Sequence, residues 1–167
     1  YEDIPLPIGY QQTISQPFIV ALMCEKLISG SAGRKTVLEV GTGCGYQTAI
    51  LAYLYEWVYS IERLHPLYER AESTLATLRV DNVELRYGDG YGGWKGRSNF
   101  DSILLTAAPE HVPPIILAQL APGGCLVAPV GKAMDQRLRI MSHRRGRLYE
   151  EEAEAVRFVP LVRGISE

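Results

Sequence analysis

The sequence predicts an α/β fold: a doubly wound, mostly parallel sheet that closes with a C-terminal antiparallel hairpin. Three observations predict it. Apolar runs of strand length alternate with amphipathic runs of helical spacing through most of the chain. One of them, Leu38-Glu39-Val40, enters the triple-glycine turn Gly41-Thr42-Gly43-Cys44-Gly45 and passes at once into Tyr46-Gln47-Thr48-Ala49, which has helical character. Two later runs end at Glu62 and at Gly88-Asp89-Gly90, so three strand ends offer glycine or carboxylate to one crevice.

In chain order, an extended, proline-bearing start leads to Ser15-Gln16-Pro17, which reads as a helix N-cap with proline in the first turn of a helix over Phe18 to Ile28. Gly30 to Gly33 breaks that helix. A strand over Val37 to Val40, a helix over Tyr46 to Leu54, a strand over Val58 to Glu62 and a helix over Pro66 to Leu78 make two successive β-α units. Strands follow at Val83 to Tyr87 and Phe100 to Leu105, then a helix over Val112 to Leu120 that ends at Pro122-Gly123-Gly124, then a strand over Cys125 to Val130. Alternating apolar residues, such as Leu138 with Ile140 and Val156 with Phe158, make Gln136 to Ser142 and Leu148 to Val159 a hairpin. Its turn holds the one basic cluster, His143-Arg144-Arg145-Gly146-Arg147. Such a sheet is covered on both faces and gathers ligands at the carboxyl ends of its strands.

A chain of 167 residues with 47% hydrophobic content supports a substantial core, and no Pro/Gly/Ser-rich linker divides it, so residues 1–167 are expected to form a single domain. The net charge of −2 gives no electrostatic case for nucleic acid or an anionic membrane, and no apolar run reaches bilayer length. The three cysteines, Cys24, Cys44 and Cys125, are odd in number, widely spaced and set among apolar or glycine residues. That pattern points to reduced thiols in the cytoplasm and to no metal site. The chain starts at Tyr1 rather than Met, so a preceding segment is expected, and any targeting signal there is unreadable.

The glycine turn is suited to a nucleotide cofactor. Glycine lets the backbone turn at positive φ and lets a ligand approach where a Cβ would collide, while the free N–H groups of the helix start favour negative charge. The spacing is G-x-G-x-G, with Tyr46 where the dinucleotide fingerprint has its third glycine, which tilts the reading away from NAD. Glu62 lies about twenty residues past the first glycine, where a ribose diol takes a carboxylate acceptor. Glu39 interrupts an apolar strand, and burying it alone would be costly, so it is expected to meet a partner or the cofactor edge. Cys44 has no recognisable base near it and is not expected to be a nucleophile. His65, His111 and His143 fall at helix starts or turns and are expected to be solvated.

These residues resemble the class I S-adenosylmethionine-dependent methyltransferases, whose fold is Rossmann-like, and within them the protein-L-isoaspartate (D-aspartate) O-methyltransferase family. The similar segments run in family order: Pro5 to Gly9, Gln12 to Pro17, Leu38 to Ala52, Ser60 to Arg63, Gly88 to Gly90, Thr106 to Pro109, Leu120 to Gly124 and Val156 to Leu161. Thr13-Ile14-Ser15-Gln16-Pro17 and Val156-Arg157-Phe158-Val159-Pro160-Leu161 are far more specific than the glycine turn. Two departures stand out. The family usually carries several tens of largely helical residues before the segment that begins here, so that helical segment is expected to be missing. Many bacterial members have glycine where Gln11 stands, whereas animal members have glutamine.

The resemblance implies S-adenosyl-L-methionine as cofactor and S-adenosyl-L-homocysteine as product. It places Gly41, Thr42, Gly43 and Gly45 around the methionine portion; for Glu39, the cost of burial alone favours a cofactor-side role over a structural ion pair. It gives Glu62 the ribose hydroxyls and Asp89, between Gly88 and Gly90, the adenine amino group, and it sets Arg63 beside the adenosine. Ser15 takes the active-site role, touching substrate, with Gln12, Thr13 and Ile14 as the adjoining cofactor and substrate wall. Backbone groups of Val159, Pro160 and Leu161 would grip an extended peptide. The implied reaction is in-line displacement by the free α-carboxylate of an isoaspartyl residue on the sulfonium methyl. That carboxylate, with a reference pKa of roughly 3.5, is already ionised at neutral pH, so alignment and desolvation matter more than proton transfer. The implied partners are isoaspartyl proteins and peptides, met by a cytoplasmic monomer without nucleic acid or membrane. Rival readings are an O-methyltransferase dedicated to one aspartyl peptide and a non-catalytic binder of isoaspartate or S-adenosylmethionine. An NAD-dependent oxidoreductase is disfavoured by Tyr46.

Overall fold

The computed structural model describes residues 2–166. A hairpin of β1 (Leu6–Gly9) and β2 (Gln12–Ile14) precedes α1 (Pro17–Gly30), β3 (Thr36–Val40), α2 (Tyr46–Leu54), β4 (Trp57–Glu62), α3 (His65–Thr77) and β5 (Val83–Tyr87). A 3-10 turn at Gly90–Gly92 leads on to β6 (Phe100–Leu105), α4 (Pro114–Leu117), β7 (Leu120–Lys132), β8 (Asp135–Arg144) and β9 (Arg147–Val156).

β3 to β9 form one sheet in the order β5-β4-β3-β6-β7-β8-β9. β3 pairs in parallel with β4 on one side and β6 on the other, Leu38 lying opposite both Tyr59 and Ile103. The chain therefore winds outward in both directions from β3, and the glycine turn leaves the sheet at this switch point, where α/β folds hold their ligands. β7, β8 and β9 are antiparallel, so the expected doubly wound sheet with a closing hairpin is what the chain forms.

The strand pleat divides the core. Leu38, Val40, Ile103 and Leu105 point to one face and pack with Trp94, Phe100 and Ile116 of α4. Val37 and Leu104 point to the other, against Met23 and Leu27 of α1 and Leu51 of α2. A strand buried on both faces reads as a continuous apolar run, which is why the parallel strands were legible. No helix among the described residues is long and apolar enough to cross a membrane.

Five expectations need correction. The cap of α1 is Gln16, not Ser15, and no cap side chain bonds to the helix. Asp3 does that work from outside, its Oδ1 accepting the Phe18 N–H at 2.8 Å. The helix expected over Val112 to Leu120 shrinks to the four residues of α4. Pro113 and Pro114 supply no N–H, and the Gln119 side chain is drawn away to the Trp94 N–H at 2.9 Å. β7 begins at Leu120 rather than Cys125, because Leu120 pairs with Phe100 before a bulge absorbs the glycines. β9 stops at Val156, and the residues up to Val159 leave the sheet. The Arg144 to Arg147 turn lies as expected, while His143 is half-buried within β8 instead of solvated. His65 and His111 are exposed.

Candidate active site

The glycine turn is held by its neighbours on both sides. The Gly41 N–H donates to Ile61 O at 2.8 Å, and the Thr106 hydroxyl donates to Gly41 O at 2.6 Å. Gly41 has φ +102, and a Cβ there would collide with Thr106 Oγ1, so no other residue fits. Gly45, at φ +87, starts α2 and packs against Ala71 and Leu75 of α3, inside the fold and off the cleft wall.

Glu62 stands at the end of β4, 5% exposed. Its Oε2 accepts the Gly43 N–H at 2.8 Å and its Oε1 the Leu64 N–H at 2.9 Å. Each oxygen keeps a lone pair, so the carboxylate is fixed in place yet still able to accept two hydroxyls, which fits a ribose diol. Asp89 accepts the Tyr91 N–H on Oδ1 and the Gly164 N–H on Oδ2, both at 2.8 Å. Gly90 and Arg63 line the cleft, whereas half-buried Gly88 and Asp89 do not. Arg63 Nε donates to Gly164 O at 2.9 Å, which draws the C-terminal segment over this end.

Glu39 is fully buried one layer beneath the glycine turn and does not line the cleft. Its Oε2 accepts from Thr48 Oγ1 at 2.6 Å and Ser60 Oγ at 2.5 Å, and Ser60 is hydrogen-bonded in turn to Thr42 at 2.6 Å. Oε1 has no partner among the described residues. Burial pushes the Glu39 carboxyl up to about 7, against the pull of the Ser60 and Thr48 hydroxyls and helped by the nearby Glu62 charge. The expectation of a partner is met by hydroxyls, and Glu39 reaches the cleft only through Ser60 and Thr42. Burial likewise raises the thiols of Cys24, to about 11, and Cys125, to about 12. Half-buried Cys44 lines the cleft.

The β1–β2 hairpin folds over the turn, with Ile8 buried near Gly43 and its carbonyl accepting from Arg70 Nη1 at 3.1 Å. It delivers Gln12, Thr13, Ile14 and Ser15 to the same cleft of about 270 Å³ that Gly41, Thr42, Gly43 and Glu62 line. That volume is near the roughly 300 Å³ at which ligand clefts begin. A second, open groove meets the cleft at Thr13, Ser15, Thr106 and Val159. Ser15 thus stands at the junction, half-buried, and its side chain makes no hydrogen bond among the described residues.

Val159, Pro160 and Leu161 line the cleft opposite. Two of their backbone groups are committed within the protein: Ala108 N–H donates to Val159 O and Leu161 N–H to Ala108 O, each at 2.8 Å. Strand alternation leaves the Pro160 carbonyl and the Val162 N–H on the outer edge for a peptide. Thr106, which braces the glycine turn and lines both clefts, was missed by sequence reasoning. Its motif was visible, but its role depends on β6 lying beside β3, which spacing does not encode.

The family model for protein-L-isoaspartate(D-aspartate) O-methyltransferase matches residues 1–166 of the chain. The chain is 50% identical over 165 residues to the protein-L-isoaspartate O-methyltransferase of Hahella chejuensis, covering 99% of itself and 78% of that protein. It is 51% identical over 164 residues to the same-named protein of Dechloromonas aromatica, covering 98% of itself and 76% of that protein. Among solved structures it superposes, with a TM-score of 0.85 and 26% identity, on a Plasmodium falciparum chain described as a protein-L-isoaspartate O-methyltransferase in complex with S-adenosyl-L-homocysteine, covering 97% of this chain and 81% of that one.

Proposed function

Because the chain belongs to the protein-L-isoaspartate(D-aspartate) O-methyltransferase family, we propose that it repairs damaged proteins and peptides by methylating the free α-carboxylate of their L-isoaspartyl and D-aspartyl residues. S-Adenosyl-L-methionine, when bound, supplies an electrophilic methyl on a sulfonium and leaves as S-adenosyl-L-homocysteine. The glycine turn would hold its methionine portion and Glu62 its ribose, with Gly90 and Arg63 beside the nucleoside. Asp89, next to cleft-lining Gly90, holds the backbone N–H groups of Tyr91 and Gly164 and so braces the nucleoside end.

The observation that carries the reading is the place of Ser15. An unpaired hydroxyl between a nucleotide-type cleft and an open groove can donate to an incoming carboxylate and aim it at the cleft. No base is needed, since that carboxylate is ionised at neutral pH. Thr13 and Ile14 wall the approach, and Pro160 and Val162 offer the peptide one main-chain edge, a grip that ignores side-chain identity and so suits a repair enzyme. The reading extends to a single domain, supported by one continuous seven-stranded sheet, and to the cytoplasm, supported by three unpaired cysteines.

The test is Ser15→Ala, with ester formation on an L-isoaspartyl peptide and calorimetric binding of S-adenosyl-L-homocysteine measured side by side. Turnover is expected to fall about tenfold or more, as for loss of a hydrogen bond to a charged group, with binding nearly unchanged. Unchanged turnover would remove Ser15 from the mechanism.

A further inference from the structure

The ribbon that follows β9 forms the substrate-facing wall, yet its first residue has no strand beside it. The β8/β9 ladder shifts register between Arg137 and Arg139, and its last pair is Gln136 with Val156. Phe158, two residues on, would be left with an unpaired peptide group. The Gln136 side chain fills that gap: Phe158 N–H donates to Gln136 Oε1 at 2.7 Å, and Gln136 Nε2 donates to Phe158 O at 3.1 Å. A single planar amide thereby offers what a neighbouring strand offers an antiparallel residue, one acceptor and one donor. Gln136 is buried in doing so, 4% exposed.

We propose that Gln136 is a positioning residue for the peptide substrate: its amide clips Phe158 and sets where the Val159–Leu161 ribbon lies relative to Ser15. The inference rests on the acceptor reading given above. The ribbon is fastened at two points. One is Ala108, just past the end of β6, which pairs on both sides of Pro160. The other is Gln136, which lines the open groove together with Thr13 and Ser15. Val159 lies between the two and borders both clefts. The outward Pro160 carbonyl and Val162 N–H follow directly, so a shift of the ribbon moves the main-chain edge on which an acceptor peptide would lie. The groups that hold the nucleoside and the glycine turn make no hydrogen bond to Gln136. The ribbon also borders the cofactor cleft, so removal of the Gln136 amide is expected to weaken peptide affinity more than cofactor affinity.

The clip requires a donor and an acceptor in one group. Gln136→Leu removes both, and Gln136→Glu keeps an acceptor for the Phe158 N–H while giving up the donor when ionised. The experiment measures kcat and KM for an L-isoaspartyl peptide, and the dissociation constant of S-adenosyl-L-homocysteine, for wild type and both variants. The expected result is a KM about five- to tenfold higher in Gln136→Leu, a smaller rise in Gln136→Glu, and product binding within about twofold of wild type. Should Gln136→Leu fail to fold, Gln136→Glu carries the same comparison. A wild-type KM in the variants, or equal losses in peptide and product affinity, would overturn the inference and leave Gln136 a structural tie. A wild type that methylates no isoaspartyl peptide would instead overturn the acceptor reading on which the inference stands.

Discussion

Glu39 and Glu62 are two carboxylates about twenty residues apart that the fold treats in opposite ways. Glu39 is buried among hydroxyls with its carboxyl raised to about 7, so the native state holds its proton more tightly than the unfolded chain does. At pH below about 4.5 both states are protonated and nothing is lost. As pH rises from there to about 7 the unfolded chain ionises first and stability falls, and above that the penalty is constant. Urea melts at pH 5 and pH 8 are expected to show a larger loss for wild type than for Glu39→Gln, which cannot ionise; parallel losses would contradict the buried, proton-holding carboxyl. Glu62 is instead anchored by two backbone N–H groups and keeps lone pairs toward the cleft. Glu62→Gln turns an NH2 toward one of those donors, and calorimetry is expected to show S-adenosyl-L-homocysteine bound about ten- to a hundredfold more weakly. The sequence made both carboxylates visible, one as an acid in an apolar strand and the other as an acid at a strand end. It did not show which of them borders the cleft, because burial depth is set by α2 packed over β3 and by β4 paired beside it.

Among the elements, the β1–β2 hairpin is the one whose sequence conflicts with its shape. Tyr10 and Gln11 both sit at positive φ, at +53° and +58°, where a two-residue hairpin turn prefers glycine or asparagine. The turn therefore stores strain that a glycine at position 11 would relieve. Gln11→Gly is expected to stabilise the protein by about 0.5 kcal/mol and Gln11→Val, branched at Cβ, to destabilise it by about 1–2 kcal/mol. Thermal unfolding of the two variants checks this, and equal effects would contradict the left-handed turn. The β-α units around the glycine turn were legible because each strand and helix carries its own periodicity and stop signal. α4 and the cap of α1 were not. The first is short because Pro113 and Pro114 supply no N–H, although the apolar residues after them keep helical spacing. The second depends on Asp3, fifteen residues from the N–H it accepts.

On the scale of the whole molecule, the sheet order makes the account hold together. Putting β3 between β4 and β6 brings Gly41, Glu62 and Thr106 to one edge, and the return of the chain from β9 to Ala108 lays the ribbon of residues 159–161 across that edge. The first half was foreseeable from alternating β and α. The ribbon itself was legible only through the family resemblance, and what fastens it was not legible at all, since the Gln136–Phe158 clip and the Ala108 pairing are long-range contacts that leave no periodic trace. The central claim is that this edge accepts isoaspartyl carboxylates in any sequence context. Its most direct test is transfer of labelled methyl from S-adenosyl-L-methionine to pairs of synthetic peptides in several unrelated contexts, each with L-isoaspartate or normal aspartate at one position. The account predicts base-labile label on every L-isoaspartyl peptide and none on its normal twin; label on normal aspartate, or on no peptide at all, would contradict it.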